Sequence, residues 1–126
     1  MDFLTSLEHR AATVGGTIAL AEGDDPRVME AAADLAARDL CRVVILCPAA
    51  GRQPEHDALE NAGVEVVDPL TDGRRAELAA HLHERRKHKG LTMDEALETV
   101  SDPLYFASLL VATGSADGSI GGAVRT

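Results

Sequence analysis

The sequence predicts an α/β domain of three layers, with helices covering both faces of a mainly parallel sheet. Short apolar runs, TIALA at 17–21, RVVILC at 42–47 and VEVV at 64–67, alternate with longer segments of helical periodicity. Strands that alternate with helices build parallel sheets through right-handed crossovers. RVVILC is also nearly continuous in β-branched and aliphatic residues, the pattern of a parallel strand covered on both faces. A length of 126 residues suits one domain.

Each element follows from local signals. Asp2 can cap a first helix running to about Val14, and Gly15-Gly16 ends it. The strand at 17–21 leads into EGDDP, where Asp25 is an N-cap and Pro26 fits the first helical position. The helix at 26–40 presents Val28, Ala32, Leu35 and Ala36 as its inner stripe. After the strand at 42–47, Pro48 and Gly51 mark a loop, and a helix at 55–61 leads through Gly63 to the strand at 64–67, stopped by Asp68-Pro69. A longer helix spans 73–89. Thr92 then opens another, with Glu95 completing a capping box. Asp102-Pro103 starts a helix that continues to Thr113 and closes at Gly114, and the glycine-rich ADGSIGGAVRT begins a fourth strand.

Composition narrows the function. A formal charge of -9 opposes global attraction to nucleic acid or an anionic membrane surface. Aromatic residues make up 2% of the chain, which leaves little for stacking a nucleic-acid strand and assigns the core to Ala, Val, Leu and Ile. Cys41 and Cys47 flank one strand, whose length holds them beyond disulfide reach, so both are expected as small hydrophobes in a reducing compartment. The first ten residues carry Asp2 and Glu8 and do not resemble a secretory signal. No apolar run approaches the ~20 residues of a membrane span. The expectation is a cytoplasmic protein.

Against this acidity stands a local basic cluster, HERRKHKGLT at 83–92. Arg85, Arg86, Lys87 and Lys89 sit at the end of the 73–89 helix, before Gly90. Counting about 100° per residue, Arg86 and Lys89 continue the inward stripe of Leu78 and Leu82, while Lys87 points away. A guanidinium on such a line, at the rim of a cleft, matches phosphate oxygens bidentately, and Arg86 is the leading ligand contact. Cations also complement the dipole of a helix C-terminus without any ligand. The glycine-rich tail, including Gly122 and Ala123, is a second candidate anion cradle, although it lacks dinucleotide or P-loop spacing. Glu22, Asp24, Asp25 and Arg27 form a third, at the carboxyl edge of the first strand. His81, Glu84 and His88 share a helical face without zinc-enzyme spacing, so no metal is expected. Neither cysteine has a base beside it in sequence, and no nucleophilic chemistry is assigned.

The segments AEGDDPRVMEAA, ERRKHKGLTMDEA, SDPLYFASLL and GSADGSIGGAVRT occur in this order across nearly the whole chain. Together they resemble the amino-terminal portion of phosphate acetyltransferases, in the phosphate acetyl/butyryl transferase family. The RKHKG segment followed by Leu91-Thr92 is the most specific part and separates this family from the related domain of some malic enzymes. The resemblance implies part of a two-domain fold like that of isopropylmalate dehydrogenase, with the active site in the cleft. It implies transfer of an acetyl group between coenzyme A and phosphate through direct attack of the thiol, with no metal and no cofactor beyond coenzyme A as substrate. Family members are homodimers, so a homodimer is expected.

Carried onto this sequence, the family motif makes Arg86 a contact for the anionic substrate or coenzyme. The expected binding residues are Arg86, Lys89, Gly122, Ala123 and Arg125, with no catalytic residue among the 126 positions. Three positions depart from the family pattern: Arg85 stands where an aliphatic residue is common, Gly121 where serine is usual and Arg125 where histidine is usual. The expectation is one wall of a cleft, the remainder of the catalytic region being absent, with little transferase activity by itself. The alternative reading is a non-catalytic module that binds coenzyme A or another phosphorylated ligand.

Overall fold

The computed structural model describes residues 2–123. Strands β1 (Thr17–Leu20), β2 (Arg42–Leu46), β3 (Glu65–Val67) and β4 (Gly118–Ile120) form one sheet in the order β3-β2-β1-β4. Every neighbouring pair is parallel, with Thr17 opposite Arg42, Val44 opposite Glu65 and Ile18 opposite Gly118. Six α-helices accompany them among the described residues: α1 (Phe3–Val14), which precedes β1, and the connecting α2 (Pro26–Ala37), α3 (Pro54–Asn61), α4 (Arg75–Arg86), α5 (Met93–Val100) and α6 (Pro103–Ala112).

Side chains alternate across the sheet as the pleat requires. Ala19, Val44, Leu46 and Val67 face α4, α5 and α6, where Leu78, Ala96, Val100, Phe106 and Leu110 complete the larger core. Leu20, Val43 and Ile45 face the other way, onto Ala32, Leu59 and Val64 of the α2–α3 side. The domain is thus a three-layer α/β/α sandwich. Val28, Leu35 and Ala36 pack against this second core beside Ala32, the inner stripe expected for α2.

The expected elements are all present, with shifted ends. The second helix was expected to reach Leu40 but stops at Ala37, because Asp39 adopts a left-handed φ of 52° that turns the chain into β2. The fourth was expected over 73–89. It begins at Arg75, after the Asp72 carboxylate accepts from the Arg74 amide at 2.9 Å. Its last turn tightens into a 3-10 segment, Lys87–Lys89, closed by Gly90 at φ 87°.

The connections β1–α2–β2–α3–β3 step one way across the sheet, whereas α4–α6 carry the chain back to place β4 on the other side of β1. The strand order therefore reverses between β1 and β4, and a crevice opens beyond the carboxyl ends of strands at such a point. Helix α1 buries none of its residues, leaving Phe3, Leu4 and Val14 exposed. Among the described residues no helix is long and apolar enough to cross a membrane.

Candidate functional site

The α4–α5 pair is an antiparallel hairpin: Arg75 at the start of α4 donates to the Ser101 hydroxyl at the end of α5, at 3.1 Å. The reversal needs Gly90, whose positive φ most side chains avoid, and the Thr92–Glu95 capping box. The Glu95 amide donates to Thr92 Oγ1 at 3.2 Å, and the Thr92 amide donates back to the Glu95 carboxylate at 3.0 Å. These backbone contacts hold the Glu95 carboxyl below its ordinary range.

Between this hairpin and the first turn of α6 lies a groove of about 310 Å³. Leu82 and Leu91 supply apolar wall, Arg86 and Lys89 two cations, Glu95 an anion, and Thr99 and Tyr105 the far side. The stripe Leu82–Arg86–Lys89 read from helical periodicity is thus one wall of a real concavity. Lys87 points elsewhere and pairs with Glu84 at 2.9 Å. Arg86 and Lys89 have no ion-pair partner among the described residues.

A second concavity, of about 450 Å³, occupies the switch point beyond β1 and β2. It is bordered by Ala21, Glu22 and Asp24 after β1, Pro48 after β2, and the α5–α6 junction at Glu98, Ser101 and Asp102. This junction separates the two concavities, with Thr99 and Tyr105 on one and Ser101 to Leu104 on the other.

The loop between β1 and α2 is built tightly. Gly23 donates to the Leu46 carbonyl at 3.0 Å, and a Cβ at this position would lie 2.0 Å from that oxygen. The Gly23 carbonyl accepts from Nε2 of His56, a fully buried ring, at 2.8 Å. The Gln53 amide can only donate, and it meets His56 Nδ1 at 2.9 Å, so the ring is the neutral Nε2–H tautomer. Asp25 caps α2 by accepting from the Arg27 amide at 2.8 Å and also pairs with the Arg27 guanidinium at 2.7 Å. The Arg27 hydrogen bonds hold the Asp25 carboxyl below its ordinary value.

The glycine-rich tail arrives at the same crevice, but its amide is already occupied. Ala123 N–H donates to the Glu22 carboxylate at 2.6 Å, and the Ala123 carbonyl accepts from Arg27 at 3.1 Å. A carboxylate thus stands where the cradle was expected to hold a ligand anion, and acidic side chains border the crevice around it. Gly122, at φ 92°, lies in the turn before Ala123. Gly121 packs close to Leu104: a Cβ there would come 2.5 Å from Leu104 Cδ2, so the serine usual in the family needs that side chain to move. Arg125 lies outside the described residues.

One expectation is corrected. Cys47 does have a potential base nearby, with His56 Nδ1 4.0 Å from its sulfur. That nitrogen is engaged by Gln53, and burial pushes the Cys47 thiol up, so the pair is structural. Cys41 is half-buried and also free. His56 was invisible because the basis for its importance, the Gly23 carbonyl, is 33 positions away. Its spacing of three from the buried Leu59 was the one available signal. Tyr105 lies in the SDPLYFASLL segment, whose pattern gives it no role by itself. Among the described residues no group of three or more His, Cys, Asp or Glu side chains gathers as a metal site.

A parallel sheet with a switch-point crevice, and an adjoining groove that Arg86 and Lys89 line, places the chain among open α/β domains. A family described as phosphate acetyl/butaryl transferase matches residues 2–126, and the chain belongs to it. It is 35% identical to a phosphate acetyltransferase of Acetivibrio thermocellus, over 100% of this chain and 38% of that protein. To a phosphate acetyltransferase of Corynebacterium glutamicum it is 39% identical, over 95% of this chain and 37% of that protein. The EutD phosphotransacetylase from Staphylococcus aureus superposes with a TM-score of 0.83 at 32% identity, covering 98% of this chain and 38% of that one. The chain therefore spans less than two fifths of the length of these relatives.

Proposed function

We propose that this polypeptide supplies one wall of the active cleft of a phosphate acetyltransferase, which moves an acetyl group between coenzyme A and inorganic phosphate. The supporting observation is the groove in which Arg86 and Lys89 stand together, with no ion-pair partner among the described residues, within the stretch most specific to the family. Coenzyme A carries phosphate groups that a guanidinium and an ammonium can bind, and its length allows it to run past the α5–α6 junction towards the switch-point crevice. Membership of the family and likeness to phosphotransacetylase structures support the same reading.

The domain corresponds to the amino-terminal portion of such an enzyme, in a two-domain fold like that of isopropylmalate dehydrogenase. Acyl transfer depends on donors arranged all round the developing charge, and the described residues provide cations on one side only. The 126 residues alone should bind coenzyme A and transfer acetyl groups poorly. The test is acetyl phosphate formation by the purified chain from acetyl-CoA and phosphate. Slow or absent turnover with retained coenzyme A binding supports the reading, and robust turnover rejects the one-wall description. The two free thiols fit a cytoplasmic setting. The exposed apolar residues of α1 fit a homodimer, which sizing with light scattering would detect.

A further inference from the structure

We infer that Tyr105 is the stacking surface for the adenine base of the ligand whose phosphate meets Arg86 and Lys89. The inference rests on the coenzyme A reading and adds a subsite to it.

The chain has three aromatic residues. One of them, Phe106, is fully buried in the core, whereas its neighbour Tyr105 is 50% exposed at the start of α6. Aromatic rings are large apolar surfaces that folding ordinarily covers. This one borders the same groove as the two unpaired cations. Its environment supplies the parts of a nucleotide site. Arg86 and Lys89 suit phosphate, Leu82 and Leu91 offer apolar contact, and the Thr99 hydroxyl, which donates to the Glu95 carbonyl at 2.8 Å, can still accept from a ribose hydroxyl.

Glu95 adds a hydrogen-bond acceptor to the groove. Its carboxylate would repel phosphate but accepts hydrogen bonds, and it borders the groove with its charge favoured by the Thr92 contacts. An exocyclic amino group, such as that of adenine, is one complementary partner for it. The size agrees as well. A volume of about 310 Å³ is at the low end of ligand sites, enough for the nucleotide end of a carrier and too small for the whole of coenzyme A. The pantetheine arm would then leave across Tyr105 and the α5–α6 junction.

The chain contains one tyrosine and no tryptophan, so its intrinsic fluorescence reports on Tyr105 alone. The purified chain is titrated with coenzyme A, adenosine 3′,5′-bisphosphate, uridine 5′-monophosphate and inorganic phosphate, following that emission with correction for ligand absorbance and, in parallel, heat. The two adenine ligands should quench the emission saturably. Tyr105→Ala should weaken their binding about fivefold to a hundredfold, leave inorganic phosphate unchanged, and be rescued by Tyr105→Phe. Because the ring is half outside the fold, the variants should keep the wild-type circular dichroism, and phosphate binding provides a second check of folding. Coenzyme A binding that is equal in Tyr105→Ala, or that leaves the emission unquenched, overturns the stacking role and spares the coenzyme A reading. Failure of coenzyme A to bind the wild type sinks that reading. The stacking role then falls too unless adenosine 3′,5′-bisphosphate binds in a Tyr105-dependent way.

Discussion

Replacing His56 by alanine should cost the domain far more than any other histidine substitution. The ring is fully buried and holds two backbone groups, the Gly23 carbonyl at 2.8 Å and the Gln53 amide at 2.9 Å. Two lost hydrogen bonds remove about 1–3 kcal/mol together. The cavity left by a ring that cannot be refilled adds about 2 kcal/mol by analogy with other large-to-small core changes. The sum is about 3–5 kcal/mol, a large share of the ~5–15 kcal/mol that holds a typical domain together. Urea unfolding followed by circular dichroism is the assay. With a slope of about 2 kcal/mol/M, the midpoint should fall by about 2 M. His9→Ala, on the exposed face of α1, is the control and should stay within about 0.5 kcal/mol of wild type. A His56→Ala midpoint matching that control would refute the idea that this ring anchors the β1–α2 loop.

Four further outcomes are expected. Gly90→Ala forces a Cβ onto a left-handed residue and should destabilise by about 1–2 kcal/mol in the same unfolding assay. Asp25 has its carboxyl held below the ordinary 3.8 by Arg27, so the native state binds fewer protons there than the unfolded state. Its contribution is present above that value and lost as pH falls through the folded one, and Asp25→Asn should flatten the stability profile below about pH 4. Cys41, half-buried, should react with a disulfide reagent under native conditions while Cys47 should react only on unfolding, which labelling with and without urea would show. Coenzyme A affinity should fall with added salt, because the groove cations are exposed, and a flat response in titrations at low and high salt would contradict an electrostatic anchor.

Much of the fold was legible in the sequence because its signals are local. Asp25-Pro26, Thr92 with Glu95 and Asp102-Pro103 each place a helix start where the structure has one. The aliphatic run of β2 marks a strand buried on both faces, which is why it lacks polar alternation. Helix ends were less readable: aspartate tolerates a positive φ, but its presence at position 39 does not by itself say that the helix stops there. The basic wall of the groove was legible since Leu82, Arg86 and Lys89 obey helical spacing. Its opposite wall was not, because Thr99 and Tyr105 arrive through the α5–α6 packing. The same applies to the Glu22–Ala123 contact, which joins residues 101 positions apart and occupies the amide that the glycine pattern had suggested for a ligand.

Calorimetric titration of coenzyme A into the purified chain and into Arg86→Ala, at low ionic strength, tests the anchoring role most directly. Loss of a bidentate, charge-assisted contact should weaken binding about tenfold to a hundredfold, with unfolding midpoints unchanged. Equal affinities in the two proteins would show that coenzyme A is held elsewhere and that the basic groove is not its site.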